Sequence, residues 1–276
     1  MPSPVVTVAE LADLGEVRLV DARSRQAWAQ GHLAGAVSAD LEVELSRTGD
    51  PAVGGRHPLP PLEAWCRQLG DWGIGPGTTV VAYDDAGGGN AAARLWWMLR
   101  AVGHESVAVL DGGLAAAVAG GLETTAESSE VVAVGPYPAD EKAWSEATVD
   151  ADRVEELRGD AEACVIDVRA VSRYRGESDP FDPNPGHIPG AVNKPYAENL
   201  DAAGRWRSAA DLRAAYEALL DGRSPESTVV YCGSGVTACH TLLALERAGL
   251  PGASLYVGSW SEWGRSDRPK ATVVES

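Results

Sequence analysis

The sequence is poor in positive charge and in long apolar runs, and each shortage excludes a class of protein. Its 23 lysines and arginines stand against 40 aspartates and glutamates, which gives a formal net charge of −17 at pH 7. A surface of that sign repels phosphate backbones, so we expect no nucleic-acid partner. No segment approaches the roughly 18 consecutive apolar residues of a membrane-spanning helix, so we expect no membrane association. The first residues, MPSPVVT, lack the basic start and apolar stretch of a signal peptide.

Cysteine is also scarce, and its spacing argues against a metal site. The four cysteines are Cys66, Cys164, Cys232 and Cys239, and they form neither a CxxC pair nor a cysteine–histidine spacing typical of zinc. Free thiols are typical of a reducing compartment, so we expect a cytoplasmic protein without structural zinc and without a required cofactor. All except Cys232 lie in apolar patterns, where we expect them to pack in the core.

What the chain does contain is an internal repeat. Four landmarks occur twice in the same order, at offsets of 146 to 155 residues. LVDAR at Leu19 pairs with VIDVR at Val165, and GHLAGAV at Gly31 pairs with GHIPGAV at Gly186. VVAYD at Val80 pairs with TVVYC at Thr228, and VLDGGL at Val109 pairs with LYVGSW at Leu255. Such regular self-similarity predicts a duplicated domain.

Within each copy, short apolar strands alternate with helical patterns. Val80–Tyr83 and Ser106–Leu110 have the composition of strands, and Ala91–Val102 between them has an apolar helical face. This alternation predicts an α/β fold of two tandem domains, each a mainly parallel sheet flanked by helices on both faces. We expect a non-catalytic domain over residues 1–124, a linker over 125–144 and a catalytic domain over 145–276.

Cys232 stands between a predicted strand and a predicted helix, where open α/β sheets bind ligands. Gly233 and Gly235 allow the backbone to curl, so that several N–H groups of the loop Cys232–Thr237 point inward. The positive N-terminal end of the following helix adds to this field, and such a nest favours the nucleophilic thiolate. We therefore predict that Cys232 is a catalytic nucleophile; the alternative is a buried structural cysteine.

The loop CGSGVT, the GHIPGAV element, the paired LVDAR strands and GSWSEW at Gly258–Trp263 together resemble the tandem-domain rhodanese sulfurtransferases. The resemblance covers almost the whole chain. The loop is similar to that of the 3-mercaptopyruvate branch, whereas the thiosulfate branch typically has C-R-K-G-V-T. The family keeps its reactive cysteine in the second domain only, and Asp84 occupies the matching position of the first copy here.

The resemblance implies a two-step sulfur transfer. A small anionic donor gives its outer sulfur to Cys232 as a persulfide, which then passes it to a thiol acceptor, such as thioredoxin or a small thiol, or to cyanide. We expect 3-mercaptopyruvate as the donor, because Gly233 and Ser234 put no cation in the loop for the compact thiosulfate dianion. Thiosulfate stays the alternative donor.

Several residues of the loop are candidate site residues. Ser234 either bonds the donor carbonyl or protonates the departing enolate; the alternative is that its hydroxyl only caps the loop. We expect Gly233, Gly235, Val236 and Thr237 to line the donor site, with Thr237 capping the helix that follows.

Two candidates lie outside the loop. The resemblance implies two arginines that bind the donor carboxylate; Arg173 supplies the first, but the segment Glu177–Pro185 (ESDPFDPNP) contains no second. It also implies a histidine–serine pairing for which His32 is the candidate. Alternatively His32 stabilises its own turn, and the occurrence of His187 at the same place in the second copy favours that.

Two other functions compete with sulfur transfer. Cysteine phosphatases require an arginine six positions after the cysteine, and Ala238 stands there. A non-catalytic sulfur-relay or interaction module is the remaining alternative, and the presence of Cys232 argues against it.

Overall fold

The computed structural model describes residues 3–87 and 90–272 and divides the chain into two compact units. The first unit contains the chain up to Arg47, Leu59–Trp144 and Asp201–Trp206, and the second contains Thr48–Pro58, Ser145–Leu200 and the chain from Arg207 onward. The expected linker 125–144 therefore lies within the first unit. Thr48–Pro58 groups with the second unit, although the sequence analysis put it in the first domain.

The first unit is built on a parallel five-stranded sheet in the order β1-β6-β5-β2-β4, beside an antiparallel pair of β3 and β7. The strands are β1 (Val5–Val6), β2 (Arg18–Asp21), β3 (His32–Leu33), β4 (Val37–Ser38), β5 (Val80–Tyr83), β6 (Val107–Leu110) and β7 (Thr124–Thr125). The helices are α1 (Val8–Asp13), α2 (Arg25–Gln30), α3 (Leu62–Asp71), α4 (Ala91–Ala101) and α5 (Gly113–Ala119); α6 (Ala143–Ala147) spans the division between the units.

The second unit repeats this sheet as β8-β12-β11-β9-β10, again parallel throughout. Its strands are β8 (Thr148–Val149), β9 (Cys164–Asp167), β10 (Val192–Asn193), β11 (Thr228–Tyr231) and β12 (Ser254–Tyr256). Its helices are α7 (Ala151–Leu157), α8 (Val171–Arg175), α9 (Ala209–Leu220), α10 (Thr237–Arg247) and α11 (Ser259–Trp263), with 3-10 helices at Tyr196–Asn199 and Pro225–Ser227. The identical strand order confirms the predicted duplication and the α/β class.

The repeated D-x-R landmark is a buried ion pair that connects a strand to the GHIPGAV turn. In the second unit Nη2 of Arg169 lies 2.6 Å from the carboxylate of Asp167 and donates to the carbonyl of Gly186 at 2.7 Å. The Tyr231 hydroxyl accepts from the Ile188 N–H at 3.1 Å, and burial raises the pKa of Tyr231 so that the phenol stays neutral. The first unit repeats every contact, with Asp21, Arg23, Gly31, Tyr83 and Leu33 in the same roles.

The core of the second unit fixes the position of the reactive loop. Strand β11 is buried along its whole length and lies between β9 and β12, so it ends in the middle of the sheet. Trp260 and Trp263 of α11 are fully buried in the hydrophobic cluster that also contains Val229 and Tyr231 of β11. Burial of two indole rings contributes several kcal/mol at roughly 25 cal/mol per Å² of apolar surface, which stabilises the structure around the reactive loop. Over the described ranges, no helix is long and apolar enough to cross a lipid bilayer.

Candidate active site

Cys232 is the first residue after β11, and its sulfur faces the backbone of its own loop. The Gly235 N–H lies 3.1 Å from Sγ and the Ser234 N–H lies 3.5 Å from it. Gly235 has a φ of +76°, and a Cβ there would stand 2.5 Å from the Val257 carbonyl oxygen. Only glycine fits that position, so the sequence supplies the residue that the curl requires.

The motif GSWSEW supports this loop from behind. The Ser259 hydroxyl accepts from the Cys232 N–H at 3.1 Å and lies 4.0 Å from the sulfur. The Trp260 N–H donates to the Cys232 carbonyl, and the Ser261 N–H donates to the Gly233 carbonyl at 2.9 Å. Ser259 has a φ of +52°, a conformation that costs a non-glycine residue free energy and occurs often at functional sites. The motif therefore fixes the path of the loop on both sides of the sulfur.

Helix α10 begins differently from the prediction for Thr237. Its N-cap is Val236, whose φ of −89° and ψ of −64° are already helical, and no side chain caps the helix. Thr237 is the first residue within the helix, so its predicted role as a cap is wrong. The curl reaches helical geometry one residue earlier than a Thr237 cap would require, and Val236 itself is buried.

Ser234 is paired with an imidazole that the sequence analysis did not identify. The Nδ1 atom of His57 lies 2.8 Å from the Ser234 Oγ, and both residues belong to the second unit. Thr48–Pro58 supplies this histidine. The motif GGRHP at residues 54–58 was the signal in the sequence that could have indicated this segment. Its Gly55 is required by the structure, because its φ is +81° and a Cβ there would stand 2.5 Å from the Gly258 carbonyl oxygen.

His32 lies in the first unit and is engaged with its own turn. Its Nδ1 is 2.9 Å from the Trp28 carbonyl oxygen, and its ring stacks on the Trp28 indole at 4.0 Å. His187 repeats this arrangement, with Nδ1 2.7 Å from the Tyr174 carbonyl oxygen. The duplication favours the structural alternative for His32, and the serine pairing expected of it belongs to His57.

Arg173 lies on α8, close to two carboxylates of the segment that follows. Its Nε is 3.1 Å from Asp179 and its Nη2 is 3.5 Å from Asp182. Asp182 also pairs with Arg56, and with Arg265 at 2.6 Å. The segment Glu177–Pro185, which contains no cation of its own, therefore pairs with three arginines through its aspartates. Only one of these arginines, Arg173, was predicted.

Two of these guanidinium groups lie directly over the reactive loop. A Cβ on Gly233 would stand 2.9 Å from Nη2 of Arg173 and 3.1 Å from Nη2 of Arg56. Nη2 of Arg173 is shielded from solvent and forms no well-aligned hydrogen bond, whereas Nε faces the Asp179 carboxylate. A shielded N–H without a well-placed acceptor costs free energy, so Nη2 can still bind an anion.

Arg175 lies on the same helix as Arg173, and its Nη1 lies 3.5 Å from the carboxylate of Glu177. No group of three or more histidine, cysteine, aspartate or glutamate side chains that could hold a metal ion occurs in residues 3–87 and 90–272.

The matching position of the first unit holds a carboxylate instead of a thiol. Asp84 is 2% exposed and accepts from the N–H groups of Ala86, Asn90 and Ala92 at 2.9 to 3.2 Å. The loop after β5 therefore also gathers backbone N–H groups around an anion. That anion is a fixed side chain that cannot accept sulfur as a thiol does.

Comparison with known proteins gives consistent matches. Residues 5–119 and 150–266 both match the family model described as rhodanese-like domain. The probable 3-mercaptopyruvate sulfurtransferase of Pseudomonas aeruginosa is 43% identical over 239 residues, 86% of this chain and 82% of that protein. The putative thiosulfate sulfurtransferase SseB of Mycobacterium tuberculosis is 37% identical, over 94% of this chain and 93% of that protein. The structure of 3-mercaptopyruvate sulfurtransferase from Leishmania major has a TM-score of 0.83 at 31% identity, over 95% of this chain and 74% of that chain.

Proposed function

This chain belongs to the rhodanese family, and we propose that it is a sulfurtransferase that moves sulfur from 3-mercaptopyruvate through a persulfide on Cys232. Relatives named as sulfurtransferases cover most of its length, so sulfur transfer is the activity of the chain. The observation that carries the choice of donor is the pair of guanidinium groups, Arg56 and Arg173, at Gly233.

The first half of the reaction forms the persulfide. The Cys232 thiolate, stabilised by the Ser234 and Gly235 N–H groups, attacks the sulfur of 3-mercaptopyruvate. A sulfur–sulfur bond forms as the carbon–sulfur bond breaks, and the electron pair of that bond leaves on the three-carbon fragment as the enolate of pyruvate. Protonation of its methylene carbon gives pyruvate. The Ser234 hydroxyl, backed by His57, bonds the oxygen on which the negative charge develops.

The guanidinium groups select the donor by its carboxylate. A planar carboxylate accepts two parallel N–H bonds from an arginine, whereas the thiol sulfur needs no cation. Arg173 has solvent-shielded N–H groups beside the loop, and Arg56 brings a second cation to the same place. Gly233 leaves room for both, and a longer side chain at that position would displace them.

Thiosulfate is the second candidate donor. Three arginines converge on Asp182, and a compact dianion also binds such a cluster. The name of the Mycobacterium tuberculosis relative points in the same direction. We still favour 3-mercaptopyruvate, because its planar carboxylate can accept paired N–H bonds from a guanidinium group and because the loop residues Gly233 and Ser234 are themselves neutral.

The second half of the reaction transfers the outer sulfur to an acceptor. An attacking thiolate, of a small thiol or of a protein such as thioredoxin, takes that sulfur and leaves Cys232 as a thiolate again; cyanide reacts in the same way to give thiocyanate. We propose that this occurs in a reducing compartment such as the cytoplasm, because all four cysteines are free thiols.

The test is a side-by-side measurement of kcat/KM for 3-mercaptopyruvate and thiosulfate with one thiol acceptor. We expect 3-mercaptopyruvate to be the better donor by at least about tenfold, and Arg173→Ala to raise its KM by more than that of thiosulfate. A higher kcat/KM for thiosulfate would establish the alternative donor. No turnover with either would contradict the function.

A further inference from the structure

The chain contains a single phenylalanine, and it is exposed beside the arginines of the site. Phe181 lies in the loop between α8 and β10 with 61% of its surface accessible. The guanidinium carbon of Arg173 is 5.1 Å from the centre of its ring, and that of Arg56 is 5.6 Å away. Because most of the ring is accessible, burial stabilises it less than it would a core side chain, and its contacts with the two cations distinguish this position.

The same short loop binds these cations by their edges. Asp179 lies 3.1 Å from Nε of Arg173, and the Asp182 carboxylate pairs with Arg56. The side chains of both aspartates are at most 2% exposed, so their positions are fixed by packing. Residues 179–182 therefore contact each of the two guanidinium groups in two ways. Their carboxylates pair with the N–H groups, and the guanidinium carbons lie over the face of the Phe181 ring.

We propose that Phe181 is a positioning residue that sets the preference of the site for donors bearing a carboxylate, an inference that rests on the proposed function. The face of an aromatic ring attracts a cation without supplying a hydrogen-bond acceptor of its own, so the Phe181 ring restricts the two guanidinium groups without occupying their N–H groups. The N–H atoms over Gly233 stay available for the donor carboxylate. A side chain with only two rotatable bonds holds this arrangement at little entropic cost.

The position of Phe181 explains how the site works without an arginine in this segment. A cation there would repel Arg56 and Arg173 and would raise the affinity for a dianion more than for a singly charged carboxylate. An aromatic ring instead orients the two cations already present and adds no charge. The consequence lies in binding rather than chemistry, because Phe181 acts through the arginines and not on the reacting sulfur.

The experiment compares two donors that differ in one group. 3-Mercaptopyruvate carries the carboxylate, and 1-mercapto-2-propanone has the same thiol and ketone without it. Phe181→Ala removes the ring, Phe181→Leu keeps the bulk without the π-system, and Phe181→Tyr keeps the ring. We expect the alanine and leucine variants to raise the KM for 3-mercaptopyruvate about fivefold, with kcat within about twofold. The tyrosine variant keeps the wild-type KM, and the KM for 1-mercapto-2-propanone is unchanged in all three.

Two results would overturn the role of Phe181. A leucine variant with the wild-type KM would show that bulk suffices, and an equal change for both donors would show that the ring does not act through the carboxylate. Persulfide formation in the wild-type protein, read as added sulfur on the Cys232 peptide, separates this from a failure of the proposed function. If the wild-type protein forms the persulfide and the three variants match it in KM, only the role of Phe181 is wrong. If the wild-type protein forms none with either donor, the proposed function falls and this inference falls with it.

Discussion

The Nδ1 atom of His57 lies 2.8 Å from the Oγ of Ser234, two residues beyond the reactive cysteine. Two contacts of the GSWSEW motif place this histidine. The Gly54 N–H donates to the Glu262 carboxylate at 2.7 Å, and the Arg56 N–H donates to the Ser261 Oγ at 3.0 Å. The motif thus holds both the cysteine loop and the segment that brings the imidazole to it.

We expect the His57–Ser234 pair to act as a unit in the chemical step. His57→Asn and Ser234→Ala should each lower kcat for 3-mercaptopyruvate about 100-fold, because the Ser234 hydroxyl bonds the developing enolate and His57 supports that hydroxyl. The double variant should lose little more than either single one, since the two side chains share one interaction. Steady-state kinetics of the three variants measure this, and strictly multiplicative losses would contradict it.

His32→Asn is the matched control for that experiment. The substituted amide can still donate to the Trp28 carbonyl that His32 Nδ1 now contacts. We expect kcat within about twofold of the wild-type value. A loss as large as that of His57→Asn, in a variant whose circular dichroism and thermal midpoint are preserved, would return His32 to the catalytic site.

The Gly233→Ala variant tests whether donor binding depends on the placement of the guanidinium groups next to this glycine. Gly233→Ala adds a Cβ that would stand 2.9 Å from Nη2 of Arg173, so the arginines must shift. We expect the KM for 3-mercaptopyruvate to rise about tenfold, because carboxylate recognition depends on their placement. Gly159→Ala, whose added Cβ would have no neighbour closer than 4.0 Å, is the control and should change neither constant. An unchanged KM in Gly233→Ala would argue against a donor carboxylate at this place.

The Asp84→Ala variant tests whether the loop after β5 contributes to the stability of the first unit or to catalysis. Asp84→Ala removes the acceptor of three backbone N–H groups in a buried loop, so we expect the free energy of unfolding to fall by about 1–3 kcal/mol. The rate per folded molecule should stay close to wild type, because a carboxylate there cannot carry sulfur. Urea unfolding and a rate corrected for folded protein measure the two effects, with exposed Asp85→Ala as the control. A large loss of rate in folded protein would mean that the first unit contributes to the chemistry.

The lowered pKa of His187 predicts how the free energy of unfolding changes with pH. Burial lowers the pKa of the folded-state imidazole below its ordinary 6.5, so below that pH the unfolded chain binds a proton that the folded chain refuses. The free energy of unfolding should therefore fall as the pH drops below 6.5. His187→Asn should reduce this slope, since its amide can donate to the Tyr174 carbonyl and does not titrate. Urea unfolding at several pH values gives the slope, and an identical slope in the variant would contradict the assignment. His104, whose pKa burial also lowers, keeps its own contribution in both proteins.

The elements that the sequence predicted well are those encoded locally. The order of strands and helices follows from the period of the apolar residues, and the strand before Cys232, the glycine curl and α10 lie in one short stretch. The duplication was visible because the buried ion pair of Asp167 with Arg169, and its copy in the first unit, require the same residues twice.

The residues that the sequence did not predict reach the site from far along the chain. Gly54 and Glu262 are 208 positions apart, and Arg56 and Asp182 are 126 apart. No local pattern indicates such pairings, because they depend on where the sheet brings the two segments. The second arginine that the resemblance implies is absent from the segment after Arg173, and the sequence did not indicate its replacement for the same reason: Arg56, which pairs with Asp182, brings a second cation to this place from far along the chain.

The most direct test of the account is the mass of the peptide containing Cys232 after brief incubation with 3-mercaptopyruvate and no acceptor. We expect an added mass of one sulfur atom on that peptide, with release of one equivalent of pyruvate and loss of the adduct when a thiol is added. Cys232→Ser should give neither adduct nor pyruvate, whereas Cys66→Ala should give both. An unmodified Cys232 in protein that still releases pyruvate, or an adduct on another cysteine, would contradict the assignment of the nucleophile.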